Sequence, residues 1–321
     1  MTDRFAVARD RVRSWLGEHF DADGRFADAP ESGGAYFKAP YLAVACGTRS
    51  LGARVARYVN EHLTDDAGEY SPDMPLENRI YAMGWLALGA VATEQYSLAA
   101  TMADALERRQ DPGSGGLMLP DEDAGEEVAE VCFSGGGGMG LIAAGRTESA
   151  RCMADGFAAL LDAQPEPGRF YNRYRRDGSV VARPAAGGWD KRFDATLDEQ
   201  RPATFATVVN TLVWVGRATG ERRYFESAAR YVDLVYSHRL DPANFGRATK
   251  FGWSMLNLHA DAGDPRLVER ARALGEVLLG RQEEDGLWSP RPGDHRDAPL
   301  PMRLSYSSDC AMTVCALADL D

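Results

Sequence analysis

The chain reads as all-α: one (α/α)6 toroid spanning residues 1–321, with a β-hairpin inserted near residues 169–183. Three observations predict this. A turn element recurs six times: FDADGRF (20–26), LTDDAGEY (63–70), RRQDPGSGGLM (108–118), LLDAQPEPGRF (160–170), HRLDPANFG (238–246) and RQEEDGLW (281–288). Its glycines, at 24, 68, 116, 168, 246 and 286, are 40 to 52 residues apart apart from one gap of 78, the spacing of repeated supersecondary units. Between the turns two kinds of helix alternate. Finally, no end repeat is polar, as an open solenoid would require, so the array is expected to close on itself.

The elements follow in order. Residues 38–46, 80–92, 203–218 and 309–320 are apolar nearly all round, the pattern of helices buried on every side. Residues 50–62, 98–109, 149–163, 221–236 and 266–281 carry charge at helical spacing with one apolar stripe, as outer helices do. In the last of these, Leu267, Ala271, Leu274 and Leu278 form the stripe. Outer helix, Gly-containing turn, inner helix is thus the unit. Twelve helices of about 12 residues and their connections account for the length. The fourth connection, 169–201, is long; FYNRY and SVVAR alternate around an Asp-Gly turn, which predicts the hairpin. A connection of that length in a compact domain is the form that lids and binding loops take. The run Gly135 to Gly138 falls in the third inner helix, where each glycine costs about 1 kcal/mol against alanine. Either a kink that lets backbone approach a ligand or tight helix–helix contact would compensate.

Composition excludes several classes of partner. Net charge is −12 and there is no basic block, which argues against nucleic acid and anionic membrane surfaces. No stretch approaches 18 apolar residues, so membrane insertion is not expected. The N-terminus has no apolar signal segment, and Cys46, Cys132, Cys152, Cys310 and Cys315 are odd in number and form no CxxC. A cytoplasmic protein with reduced thiols is the expectation. The histidines form no HExxH, so no metal and no cofactor are expected. A small molecule is the expected partner; self-association stays open.

The turns resemble the Q-and-W repeats of the terpenoid cyclase and protein prenyltransferase toroid superfamily, in which an outer helix ends in Gln and an acidic-Gly turn ends in Trp. The best copies run from Gln282 through Gly286 to Trp288 and from Gln110 to Gly116. The resemblance covers nearly the whole chain at the level of architecture. It implies a site along the toroid axis, lined by the N-terminal turns of the inner helices. Family-specific signatures fit less closely. Asp121-Glu122-Asp123-Ala124 is similar to the DxDD of class II cyclases but ends in Ala. Asp65, Asp66 and Glu69 fit the letters of a class I magnesium motif but occupy a repeat turn. Cys132 is followed by Phe133, where lantibiotic-cyclase toroids have the His of a zinc site.

Polar residues at the starts of apolar inner helices carry the functional expectation. Glu130, Asp309 and Tyr36 are the catalytic candidates. Lys38, Tyr41, Arg79, Tyr81, Glu127, Cys132, Arg173, Lys250, Trp253 and Tyr306 are the substrate-binding candidates. A partly desolvated carboxylate has a raised pKa and serves as a general acid; aromatic faces stabilise developing positive charge. The first reading is therefore a cofactor-independent cyclase, isomerase or dehydratase acting on a small, largely apolar metabolite. Alanine at Glu130 or Asp309 should then abolish turnover with little loss of fold. The alternative is a carbohydrate-active hydrolase or epimerase. A hydrolase needs two opposed carboxylates, Glu130 with Asp309 or Asp73 with Asp190, and the four cationic candidates suit an anionic sugar. A non-catalytic binding scaffold is the third reading.

Overall fold

A computed structural model describes residues 3–71, 74–121, 125–166, 169–182, 192–194, 203–237, 249–290 and 298–320. The outer helices are α1 (Arg4–His19), α4 (Arg49–His62), α6 (Tyr96–Glu107), α8 (Thr147–Asp162), α10 (Arg222–Ser237) and α12 (Pro265–Leu279). The inner ones are α3 (Ala39–Ala45), α5 (Leu76–Ala92), α7 (Val131–Ala143), α9 (Ala203–Thr219), α11 (Phe251–Ala262) and α13 (Leu300–Ala318), with a short α2 (Gly33–Tyr36) leading into α3. Each inner helix packs on the next, and α13 packs back on α3, so the ring is closed. The apolar inner sequences are buried as expected: every residue of α5 from Ala82 to Ala90 is buried, Trp85 included. Each large side chain so removed from water stabilises the ring by about 1.5–3 kcal/mol. None of the described helices is long and apolar enough to cross a membrane.

The repeated turn has a physical basis. Its Asp folds the backbone over its own carboxylate: Asp21 Oδ1 accepts from Asp23 and Arg25, Asp65 Oδ1 from Ala67 and Glu69, and Asp111 Oδ2 from Gly113 and Ser114. Asp65 is thus turn chemistry and not a metal ligand by default. Gly24 and Gly286 have φ of 85° and 90°, and a Cβ on Gly24 would lie 2.4 Å from the Arg54 carbonyl carbon in the next outer helix. The Gln side chain ties the turn to that neighbour. Gln110 Nε2 donates to Gly115 O at 3.0 Å and to Ser149 O at 2.8 Å. Gln282 Nε2 donates to Gly286 O and to Ala8 O, both at 2.9 Å, which joins the sixth repeat to α1. Trp288 Nε1 donates to Leu278 O, pinning the following segment beneath α12.

Short strands form a cap at the N-terminal end of α7. β1 (Met118–Asp121) pairs antiparallel with β2 (Glu126–Glu130), and β2 with β4 (Arg173–Tyr174); β3 (Arg169–Tyr171) pairs with β5 (Arg192–Asp194). The expected Asp-Gly turn is present, with Gly178 N donating to Arg175 O and a bridge from Tyr174 to Val180. The β1–β2 hairpin was not expected. Glu127 and Glu130 lie on β2, not on the inner helix, because the third connection folds back on itself as β1 and β2 and adds β4 from the insertion. Helix α7 runs unbroken through Gly135 to Gly138.

Candidate active site

Two lysines share one carboxylate at the axis of the ring. Lys38 precedes α3, Lys250 precedes α11, and Asp309 lies in the third turn of α13. Lys38 Nζ is 2.7 Å from Asp309 Oδ1, and Lys250 Nζ is 2.9 Å from Oδ2. The lysine side chains are 5% and 4% exposed and the aspartate 13%. Lys38 also donates to Ser305 O at 3.0 Å and Ser305 Oγ at 3.3 Å, one turn before Asp309 on the same face of α13.

Aromatic rings enclose the charges. Lys38 Nζ lies 5.2, 5.5 and 5.6 Å from the ring centroids of Phe37, Tyr81 and Trp85, and Lys250 Nζ lies 5.6 Å from that of Tyr81. Trp85 follows Tyr81 by one turn of α5, as Trp253 follows Lys250 on α11. Rings of Tyr41, Trp85, Trp253 and Trp214 continue the wall, with centroids 5.7 to 6.2 Å apart. Phe133 meets Tyr81 edge-on. Tyr41, Tyr81, Cys132, Phe133, Trp214 and Tyr306 are only half-buried. The Trp85 indole N–H is buried and has no hydrogen-bond partner among the described residues.

The electrostatics follow from one negative charge between two positive ones. Burial raises the Asp309 carboxyl, but Lys250 and then Lys38 outweigh it and hold the group below the usual carboxylate range. Asp309 is therefore held ionised, not the raised-pKa acid expected from its sequence position. Burial pushes Lys38 down to about 8, against the attraction of Asp309 and with the help of Lys250. Lys250 stays above its ordinary value, because Asp309, with Tyr81 and Cys132, overcomes its burial. Burial raises the Tyr81 phenol, and pushes the Cys132 thiol up to about 12, so that neither ionises at neutral pH. Tyr306, three residues before Asp309, is raised by burial and then by Cys310.

Of the expected site residues, the fold thus brings together Lys38, Tyr41, Tyr81, Cys132, Lys250, Trp253, Tyr306 and Asp309. Others are engaged elsewhere. Tyr36 is fully buried: its hydroxyl accepts from Phe26 N at 2.9 Å, donates to Pro30 O at 2.8 Å, and its ring stacks on Tyr58, so it anchors the first turn. Arg79 faces Glu69 of the second turn at 3.8 Å, a carboxylate also approached by Arg108 and Arg109. Glu127 pairs with Arg176, and Arg173 pairs with Asp121 at 2.8 Å, both within the strand cap. Asp73, Asp123 and Asp190 lie outside the described residues.

Glu130 caps α7. Its Oε2 accepts from Cys132 N at 2.9 Å and Phe133 N at 3.1 Å, satisfying two backbone donors that the helix itself cannot. Alanine there should cost about 0.5–2 kcal/mol, read as a lowered thermal midpoint. An unchanged midpoint would show that the cap is dispensable.

Phe37, Trp85, Phe133, Trp214 and Ser305 were not anticipated. A compositional signal could have marked the centre: Lys38, Lys191 and Lys250 are the only lysines among 36 basic residues. Two of the three meet on Asp309. Among the described residues no group of three or more His, Cys, Asp or Glu side chains could hold a metal ion.

No protein-family model matches this chain, and no curated protein does. Solved structures match over nearly its whole length. An α-1,6-mannanase of Salegentibacter sp. HEL1_6, inactivated by alanine at two consecutive aspartates and complexed with α-1,6-mannotetrose, superposes with a TM-score of 0.68 at 15% identity, covering 99% of each chain. A D-mannose isomerase gives 0.69 at 12% identity, covering 98% of this chain and 97% of that one. The type II terpene cyclase MstE from Scytonema, in complex with merosterolic acid A, gives 0.61 at 14% identity, covering 99% and 98%. At these identities the likeness shows the fold, an (α/α)6 toroid. The expected toroid architecture stands; nothing in the likeness favours the cyclase branch over the others.

Proposed function

We propose that this protein is a carbohydrate-active enzyme that moves a proton at the carbon next to a sugar carbonyl, as an epimerase or isomerase does. The observation that carries this is the ionised Asp309 between Lys38 and Lys250 under an aromatic wall. A carboxylate that stays ionised is free of its proton and can accept one from carbon, while a neighbouring ammonium or phenol supplies one to the developing oxyanion and so offsets the weak basicity of the paired carboxylate. Lys250 and Tyr81 are placed for the second role. Tyr41, Tyr81 and Trp214, half-buried in the same aromatic wall, offer ring faces to a sugar. This supports the carbohydrate-active alternative over an apolar metabolite. Protonation of an alkene needs a carboxyl that holds its proton, which Asp309 does not. Glycoside hydrolysis needs two opposed carboxylates; among the described residues this cluster contains one.

The test is proton exchange. Free hexoses and hexuronic acids incubated in D2O should lose the signal of the hydrogen next to the carbonyl by proton NMR, and Asp309→Asn should stop the exchange. No exchange with any sugar, together with new reducing ends released from mannose oligosaccharides, would replace this reading with hydrolysis.

A further inference from the structure

We propose that Lys38 is a nucleophile that captures the substrate carbonyl carbon as an imine, which makes the enzyme an epimerase and not an aldose–ketose isomerase. The inference rests on the reading of this cluster as the active site, and deepens it.

Residue usage points first to chemistry. The chain meets almost every demand for positive charge with arginine, on its surface and in buried pairs such as Arg173 with Asp121. Arginine would also form the stronger, bidentate pair with Asp309. What it cannot do at any accessible pH is lose a proton and become a nucleophile. Lysine at 38 and 250 is therefore the costlier choice for ion pairing and the only choice for amine chemistry.

Geometry then separates the two lysines. Among the described residues one carboxylate faces both ammoniums, so these groups carry a surplus positive charge in a desolvated, aromatic setting. A neighbouring cation and an apolar surround are the two conditions that activate a lysine nucleophile. The groups facing Lys38 are Asp309 on α13, Lys250 on α11, Tyr81 on α5 and Cys132 on α7. Of these only Lys250 repels a proton on it. Lys250, paired with Asp309 and Tyr81, keeps its own charge, and Lys38 is the group poised to give up a proton near pH 8.

The step balances. Neutral Lys38 Nζ adds to the carbonyl carbon, and the oxygen takes a proton from Tyr81 or Lys250. The amine proton passes to Asp309, which hands it to the new hydroxyl; the C–O bond breaks, water leaves, the nitrogen lone pair closes the iminium, and Asp309 is a carboxylate again. Amine plus carbonyl thus gives imine plus water. The iminium carbon draws electrons from the adjacent C–H bond, and Asp309, 2.7 Å from Nζ, takes that proton. Return of the proton to the opposite face of the same carbon, then hydrolysis, releases the epimer. Return to the former carbonyl carbon of an aldose would leave a C–N single bond that water does not cleave. An imine route therefore commits the enzyme to epimerisation.

The experiment is reductive trapping of the intact protein with glyceraldehyde and cyanoborohydride, followed by peptide mass mapping. At about pH 8 an amine with a pKa of about 8 holds roughly a hundredfold more neutral form than an ordinary lysine. The reduced adduct is expected on Lys38 before Lys191 or Lys250, beside the label that an N-terminal amine of ordinary pKa also takes, at a rate that rises through pH 8. Lys38→Arg should remove it while circular dichroism confirms the fold. Label confined to Lys250, Lys191 or the N-terminus would overturn the proposal. Deuterium exchange without a Lys38 adduct would overturn the imine but leave the proton-transfer reading standing. An adduct on Lys38 without exchange at the adjacent carbon would support the imine and remove the epimerase reading.

Discussion

Asparagine at position 309 should weaken folding as well as catalysis. The side chain that balances two buried ammoniums would be gone, and breaking a buried ion pair from one side costs about 3–5 kcal/mol. Here Lys250 is left as the stranded charge, at 4% exposure, while Lys38, which burial already lowers to about 8 beside Asp309, sheds its proton. Sequence alone predicts loss of turnover with little loss of fold; the two buried ion pairs of Asp309 predict loss of both. Loss of a positioned general base should lower kcat by about 10²–10⁴. Urea unfolding at neutral pH and at pH about 9.5 separates charge from packing. The deficit of Asp309→Asn should shrink at the higher pH, where the stranded Lys250 loses its proton. Adding Lys38→Met and Lys250→Met should recover much of the stability, since a buried charge cluster replaced by apolar groups of similar size is often no less stable. A loss below about 1 kcal/mol, unchanged by pH, would mean that the lysines are not charged against Asp309 in the fold.

The same groups set the pH dependence of the unaltered protein. Lys38 releases its proton at about 8 when folded and at 10.5 when unfolded. Between those values the unfolded chain binds the extra proton, so this group makes stability rise with pH across that window. Lys250 acts in the opposite sense: its raised value contributes stability below 10.5 that is lost as pH rises further. Asp309, held below 3.8, contributes stability present above 3.8 and lost as acid drives it through its folded value.

Architecture was legible in the sequence because it is written locally. The Asp, Gly and Gln of each turn act on backbone within a few residues or on the adjacent outer helix, so their spacing repeats with the fold. Apolar inner and striped outer helices follow from which faces meet water. The site was legible only in part. Lys38, Lys250, Tyr81 and Asp309 stood out as polar residues at inner-helix starts, and the ring brings those starts together. Tyr36 and Glu130 stood out for the same reason, yet serve as a turn anchor and a helix cap, because a polar group at a helix start answers equally to backbone and to substrate. The strand β2 was hidden, since one of its two partners, β4, lies in an insertion some 45 residues on. The protonation of Asp309 was misjudged because it depends on two lysines from helices 59 and 271 residues away in the chain.

Alanine at Gly84 should be among the most damaging substitutions of a small residue in this protein. A Cβ there would sit 2.0 Å from the Gly136 carbonyl oxygen and 2.4 Å from its carbon. The obstacle is backbone, which no rotamer change relieves. Helices α5 and α7 therefore touch main chain to main chain, and a Cβ on Gly140 would in turn lie 2.6 Å from the Gly84 oxygen. The glycine run of α7 serves two neighbours. Gly136 and Gly140 face α5, while Gly135 and Gly138 face Thr207 and Thr211 of α9, and Thr211 Oγ1 donates to Gly135 O at 3.0 Å. Close packing offsets the roughly 1 kcal/mol that each glycine costs a helix interior, so the run is read as contact and not as a kink. Overpacking of this kind costs about 1–3 kcal/mol and more where backbone must move; at Gly84 at least 3 kcal/mol is expected. Gly136→Ala would also press on the Tyr81 ring, at 2.7 Å, and should lower turnover in whatever fraction stays folded. Gly17 provides the control, since nothing lies within 4 Å of a Cβ on that outer-helix residue. Alanine at Gly17 should stabilise by up to about 1 kcal/mol through helix propensity alone. If Gly84→Ala and Gly17→Ala shifted the urea midpoint alike, α5 and α7 could not be in backbone contact, and the close-packed ring that brings Tyr81 to the two lysines would have to be drawn differently.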